Sequence, residues 1–166
     1  MMKNFVTKNV VMVAGLLAVP AVTAVEHTVS PAAARQQDPR LHALKAFFDR
    51  YGCPVSGLSA EFLIASDQNE LDWRLLPSIS LVESGGGKAS KKNNIFGWDS
   101  TKGEFPSVRV AIHTVASRLS KSKLYKDKDL DGILATYNPE PEYSYLVKSV
   151  MRRIGSADLG LATALN

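Results

Sequence analysis

Apolar residues recur through the middle of this chain at helical spacing. Leu41, Leu44, Phe48 and Tyr51 fall three or four residues apart, and Asp38-Pro39 supplies an N-cap followed by proline at the first helical position. Gly52 closes that element. Leu58, Phe62, Ala65 and Asn69 predict a second helix. Asp72 is placed to cap a third, with Leu75, Ile79 and Val82 on one face and Pro77 early enough to kink it or tighten its first turn. The strongest period lies further on. Val108, Ala111, Ile112, Val115, Ala116 and Leu119 follow the amphipathic template, which leaves Arg109, His113 and Ser117 on the opposite face. Leu130, Ile133, Leu134 and Tyr137 predict a short helix that stops near Asn138-Pro139. Tyr143, Val147, Val150, Met151 and Ile154 predict a last one, with Gly155 as its stop.

One region reads as strand. Asn94-Ile95-Phe96-Gly97-Trp98 and Glu104-Phe105 flank a polar turn, Asp99 to Gly103, which predicts a small hairpin inserted between helices. The expected class is therefore α+β, mainly α-helical, with a small β-hairpin lobe. Residues 41–154 form the domain, long enough for one sizeable core. Residues 25–40, with the Ser30-Pro31-Ala32-Ala33-Ala34 stretch, read as a linker, and residues 155–166 as a C-terminal tail.

The start of the chain has a different pattern. Lys3 and Lys8 precede a run from Val10 to Val22 that is apolar apart from Gly15 and Pro20. A spanning helix needs about 20 apolar residues, so this run is short for one. Val22-Thr23-Ala24 then offers small residues at the positions a signal peptidase reads. Residues 1–24 are expected to be a secretory signal peptide, with an uncleaved anchor as the alternative.

Composition adds limits. The chain has 166 residues, 45% hydrophobic and 22% charged, with a formal charge of +4. These values exclude disorder throughout and a polytopic membrane protein. Removing the leader takes two of the 20 basic residues and none of the 16 acids, leaving a net +2. So mild a charge gives no reason to expect nucleic acid as a partner, and export counts against it too. After cleavage no stable membrane insertion is expected. Cys53, the single cysteine, has no internal partner, so its thiol is free or bridges to another chain. Three histidines, with no HExxH and no paired-cysteine pattern, imply no metal and no organic cofactor. Gly85-Gly86-Gly87-Lys88 invites a phosphate-loop reading. It fails because Ala89 stands where Ser or Thr is required and Val82 where the first glycine belongs.

Glu83 is the residue that chemistry singles out. It ends the apolar face of Leu75, Ile79 and Val82, just before Ser84-Gly85-Gly86-Gly87. A carboxylate there faces the negative end of the helix dipole, and apolar neighbours desolvate it; both disfavour its charge. The glycines stop the helix and let another backbone or a substrate come close. A carboxylic acid kept protonated near neutral pH is what a general acid for glycosidic cleavage requires. The plain alternative is a solvated helix end, paired with Lys88, Lys91 or Lys92.

Val82-Glu83-Ser84-Gly85-Gly86-Gly87-Lys88, followed by Asn93-Asn94-Ile95-Phe96-Gly97-Trp98, resembles the bacterial glucosaminidase family, endo-β-N-acetylglucosaminidases of the lysozyme-like superfamily that cleave peptidoglycan. Phe105-Pro106-Ser107-Val108 resembles the family's segment after the hairpin. Tyr137-Asn138-Pro139-Glu140-Pro141-Glu142-Tyr143 resembles its tyrosine segment and also that of lytic transglycosylases. The likeness covers about Leu58 to Ile154. Ile95 replaces a leucine, and Asn138 departs from the glucosaminidase form.

The resemblance implies a lysozyme-like domain with a cleft between a helical lobe and a hairpin lobe. Glu83 would be the catalytic acid and Ser84 its hydrogen-bonding neighbour on the substrate side. Tyr137 would line the cleft and steady the charged transition state, or else be a core residue. Phe96 and Trp98 would be platforms for sugar rings, or the hairpin's packing face. Asn94 would bond an acetamido group or cap the turn, and Asn138 would join the substrate-binding set. Asp99 and Glu104 are the acids available as a second catalytic group, and routes needing no second carboxylate stay open. The expectation is an exported enzyme, in the periplasm, the cell wall or outside the cell, acting on peptidoglycan or a related N-acetylglucosamine-containing glycan. A lytic transglycosylase and a non-catalytic glycan-binding module are the alternatives.

Overall fold

The structure, a computed structural model, describes residues 36–99 and 103–164, with side chains as far as residue 156. The expected signal peptide and most of the expected linker lie outside the described residues. Among the described residues six helices follow in order: α1 (Pro39–Arg50), α2 (Ser59–Gln68), α3 (Leu75–Ser84), α4 (Val108–Lys121), α5 (Leu130–Tyr137) and α6 (Pro141–Ala164), with a 3-10 turn at Pro54–Leu58. The protein is mainly α-helical. No described helix is long and apolar enough to cross a membrane.

The helix starts follow their capping chemistry. Asp38 accepts from the Arg40 amide ahead of α1, Ser107 from the Val110 amide ahead of α4, and Asp129 from the Gly132 amide ahead of α5. Asp72 lies two residues ahead of the cap position it was expected to fill. It accepts from the Arg74 amide at 2.9 Å and its carbonyl takes the Leu75 amide, so the cap position itself is Arg74. Pro77 falls in the first turn of α3, where its missing N–H leaves no ladder bond unmade.

Helix α3 is the centre of the body. Leu75 through Ser80 are all buried, as expected for a helix that is apolar nearly all round. It packs on α6, which also packs on α1, while α2 packs on α4. An aromatic chain ties these layers to the loop after α3: Phe48 meets Phe62 at 5.4 Å between ring centroids, and Phe62 meets Phe96 edge-on at 6.3 Å. On the outer side of α4, Arg109 and His113 both pair with Glu61 of α2, so part of the polar face fastens two helices together.

Two expectations are corrected. No strand forms among the described residues. Lys92, Asn93, Gly97 and Asp99 all have φ between 53° and 60°, outside the β region, so the segment coils into successive turns. A single antiparallel bridge joins Lys91 and Asn94, the Phe105 amide donates to the Lys92 carbonyl at 3.1 Å, and the Gly103 amide donates to the Trp98 carbonyl at 3.2 Å. Second, α6 does not stop at Gly155 but continues to Ala164. Gly155 instead makes room for Arg74, since a Cβ there would lie 3.3 Å from a guanidinium nitrogen.

Candidate functional site

Glu83 occupies the last turn of α3, and Gly85, with φ 63°, ends the helix in the left-handed conformation. The chain then turns back so that Gly97 lies against the acid. Beside them opens a cleft of about 650 Å³, within the usual range for a small-molecule site. Glu83 enters it from α3, and Gly97, Trp98 and Asp99 from the loop. Gly103, Glu104 and Phe105 lead out of that loop. Thr114 and Arg118 come from α4, Tyr125 from the connector after it, and Tyr137 and Asn138 from the end of α5.

Partial burial against Gly97 raises the pKa of Glu83, although the residue as a whole is exposed to solvent; Tyr143 opposes the rise by hydrogen bonding. The Tyr143 hydroxyl is itself buried and completes no hydrogen bond of good geometry, so it stands near the carboxylate with bonding capacity to spare. None of the lysines after the helix holds the acid: Lys88 donates to the Tyr51 carbonyl, and Lys92 pairs with Glu104 at 3.1 Å. Burial and the Glu83 charge push the Tyr137 and Tyr143 hydroxyls far above the ordinary phenol range, so both stay neutral. Their rings lie nearly parallel, 5.8 Å apart, and Trp98 meets Tyr137 edge-on at 5.8 Å. Tyr137 donates its hydroxyl to the Phe96 carbonyl, tying the end of α5 to the loop that carries Gly97.

Neither Asp99 nor Glu104 contributes to the raised pKa of Glu83. Both nonetheless line the same cleft as Glu83.

Of the residues singled out in the sequence, Glu83, Tyr137, Trp98, Asn138, Asp99 and Glu104 come together in the cleft. Ser84, Asn94 and Phe96 do not. Ser84 is buried, within 3.0 Å of the Ser80 carbonyl and 2.8 Å of the Ile95 carbonyl, and accepts from the Gly87 amide at 3.0 Å. It latches the loop to the helix end and has nothing left for a substrate. Both ends of the Asn94 amide are spent on the Trp98 backbone, at 2.9 Å each, so it closes the turn. Phe96 is fully buried in the core and offers no face to a sugar.

Four contributors were missed. Tyr143 shows in the sequence as an apolar position on a helix face and as the last residue of the tyrosine segment, and neither signal set it beside the acid. Tyr125 has no periodic signal. Thr114 and Arg118 are four apart and thus share one flank of α4, separate from the Arg109, His113, Ser117 face. That spacing was the available sign. Among the described residues no group of three or more His, Cys, Asp or Glu side chains gathers to hold a metal ion. No family model, no curated protein and no solved structure matches this chain.

Proposed function

We propose that the protein is an exported glycosidase that cleaves the glycan strand of peptidoglycan, with Glu83 as the general acid, and that its helical body and loop lobe form a lysozyme-like domain. The observation that carries this reading is the placement of one burial-raised carboxyl group on the wall of a cleft sized for a sugar. A protonated Glu83 would donate to the glycosidic oxygen as the bond breaks. Trp98 supplies an aromatic face at the cleft. Tyr137 and Tyr143, neutral throughout, surround the acid without competing for its charge. The motif resemblance favours an endo-β-N-acetylglucosaminidase, which leaves reducing N-acetylglucosamine.

Neither Asp99 nor Glu104 is among the causes of the raised Glu83 pKa, and this supports a second reading on the same site. A lytic transglycosylase needs no second carboxylate, because the muramic acid hydroxyl closes onto the anomeric carbon to give a 1,6-anhydro sugar. A zymogram on purified peptidoglycan, with wild type beside Glu83→Gln and mass spectrometry of the products, tests both. The expected loss on substitution is about 10²–10⁴-fold. Equal lysis by the two proteins rejects Glu83 as the acid. Sacculus binding without lysis by either protein identifies a glycan-binding module instead.

A further inference from the structure

Arg118 has no role in the reading above. It sits in the last turn of α4, where a cation is favoured by the helix dipole. Lys121 meets that electrostatic preference equally well without entering the cleft, so the dipole explains the charge and not its position. Among the described residues Arg118 forms no salt bridge. Of the cleft acids, Glu104 is already paired with Lys92. Glu83 and Asp99, the other two acids of the cleft, form no salt bridge with the guanidinium either. Thr114 lies one helical turn away on the same wall and adds a hydroxyl.

We propose that Arg118 is the subsite for a carboxylate carried by the glycan, and so selects an anionic amino-sugar polymer over a neutral one. A guanidinium presents paired donors in a plane that matches a carboxylate, and in a partly open cleft the pair gives selectivity with a modest gain in affinity. This rests on the glycan reading of the cleft. In a peptide-free strand the carboxylate is that of the muramic acid lactyl group. In a peptide-bearing strand the lactyl group is amidated and the charge moves to the stem.

The test is calorimetric titration of the full chain carrying Glu83→Gln, which holds turnover off, with and without Arg118→Gln. The probes are a peptide-free muramic-acid tetrasaccharide, the same sugar with its carboxyl reduced to an alcohol, its peptide-bearing form, and neutral chitotetraose. Arg118 should give roughly fivefold tighter binding of an anionic probe than of the neutral ones, weakening with salt. Arg118→Gln should erase that preference and leave chitotetraose affinity unchanged, and Arg118→Lys should restore part of it. Whether the preference follows the lactyl or the stem carboxylate identifies the source. Equal binding of charged and neutral probes by the Arg118 protein, or a preference that survives Arg118→Gln, overturns the proposal. Binding of no probe at all rejects the glycan reading itself, and the subsite with it.

Discussion

The Glu83 carboxylate lies against the bare α-carbon of Gly97: a Cβ built there would meet Oε2 at 2.5 Å. Gly97 also has φ 59°, a conformation that L side chains rarely adopt. The loop thus serves the acid by having no side chain at that point. Gly97→Ala should cost about 1–2 kcal/mol in stability from its backbone conformation alone, and should push the carboxylate out of place. We expect lytic activity to fall at least tenfold in protein that still melts cooperatively. Activity unchanged in the folded variant would show that the position of Glu83 does not matter.

The raised pKa of Glu83 gives two pH signatures. A general acid acts in its protonated form, so the rate should fall as pH rises through the Glu83 pKa. Tyr143 favours the charged form, so Tyr143→Phe should move that alkaline limb to higher pH. Stability follows the same sign. A carboxyl group that binds its proton more tightly when folded contributes stability below its unfolded pKa and loses it as pH rises through the folded value. Glu83→Gln should therefore raise Tm relative to wild type more at pH 8 than at pH 4. Pairs of melting curves at the two pH values, together with a pH–rate profile for Tyr143→Phe, check both statements.

Ser84→Ala probes the latch. The hydroxyl is buried among two carbonyls and one amide, and deleting it leaves the Gly87 N–H without its acceptor. A loss of about 1–3 kcal/mol is expected, read as a lower urea midpoint at unchanged m-value. Activity per folded molecule should stay within a few-fold of wild type. A defect confined to substrate affinity, with stability intact, would instead put Ser84 at the substrate.

Asp99→Asn and Glu104→Gln separate the mechanisms. Neither acid perturbs Glu83, and Glu104 is exposed and paired with Lys92. Each substitution should lower the rate less than tenfold. A loss of about 10²-fold or more in either one, the size of a general-base contribution, would establish a second catalytic carboxylate acting through water.

The six-helix plan could be read from the sequence because it rests on local rules. Asp38-Pro39, Ser107 and Asp129 begin helices by capping, Gly85 ends one by its left-handed backbone, and α4 announces itself through apolar periodicity. The strand expectation failed because alternation and aromatic content say nothing about φ. Lys92, Asn93 and Asp99 adopt the left-handed region although none is glycine, and that closes the turns. Gly155 misled for a related reason: a glycine that could stop a helix here makes room for Arg74.

The residue types around the acid mark Glu83 as chemically unusual, since a helix end, apolar neighbours and glycines are all visible along the chain. Which of its companions face the cleft is a matter of contacts between segments far apart in sequence. Phe96 is drawn into the core by Phe62, Asn94 and Ser84 are consumed by backbone groups, and Arg118, Tyr125 and Tyr143 arrive from helices and connectors that local pattern does not bring near Glu83. Periodicity determines which side of a helix is apolar. Only packing of the helices against one another decides what each polar flank meets.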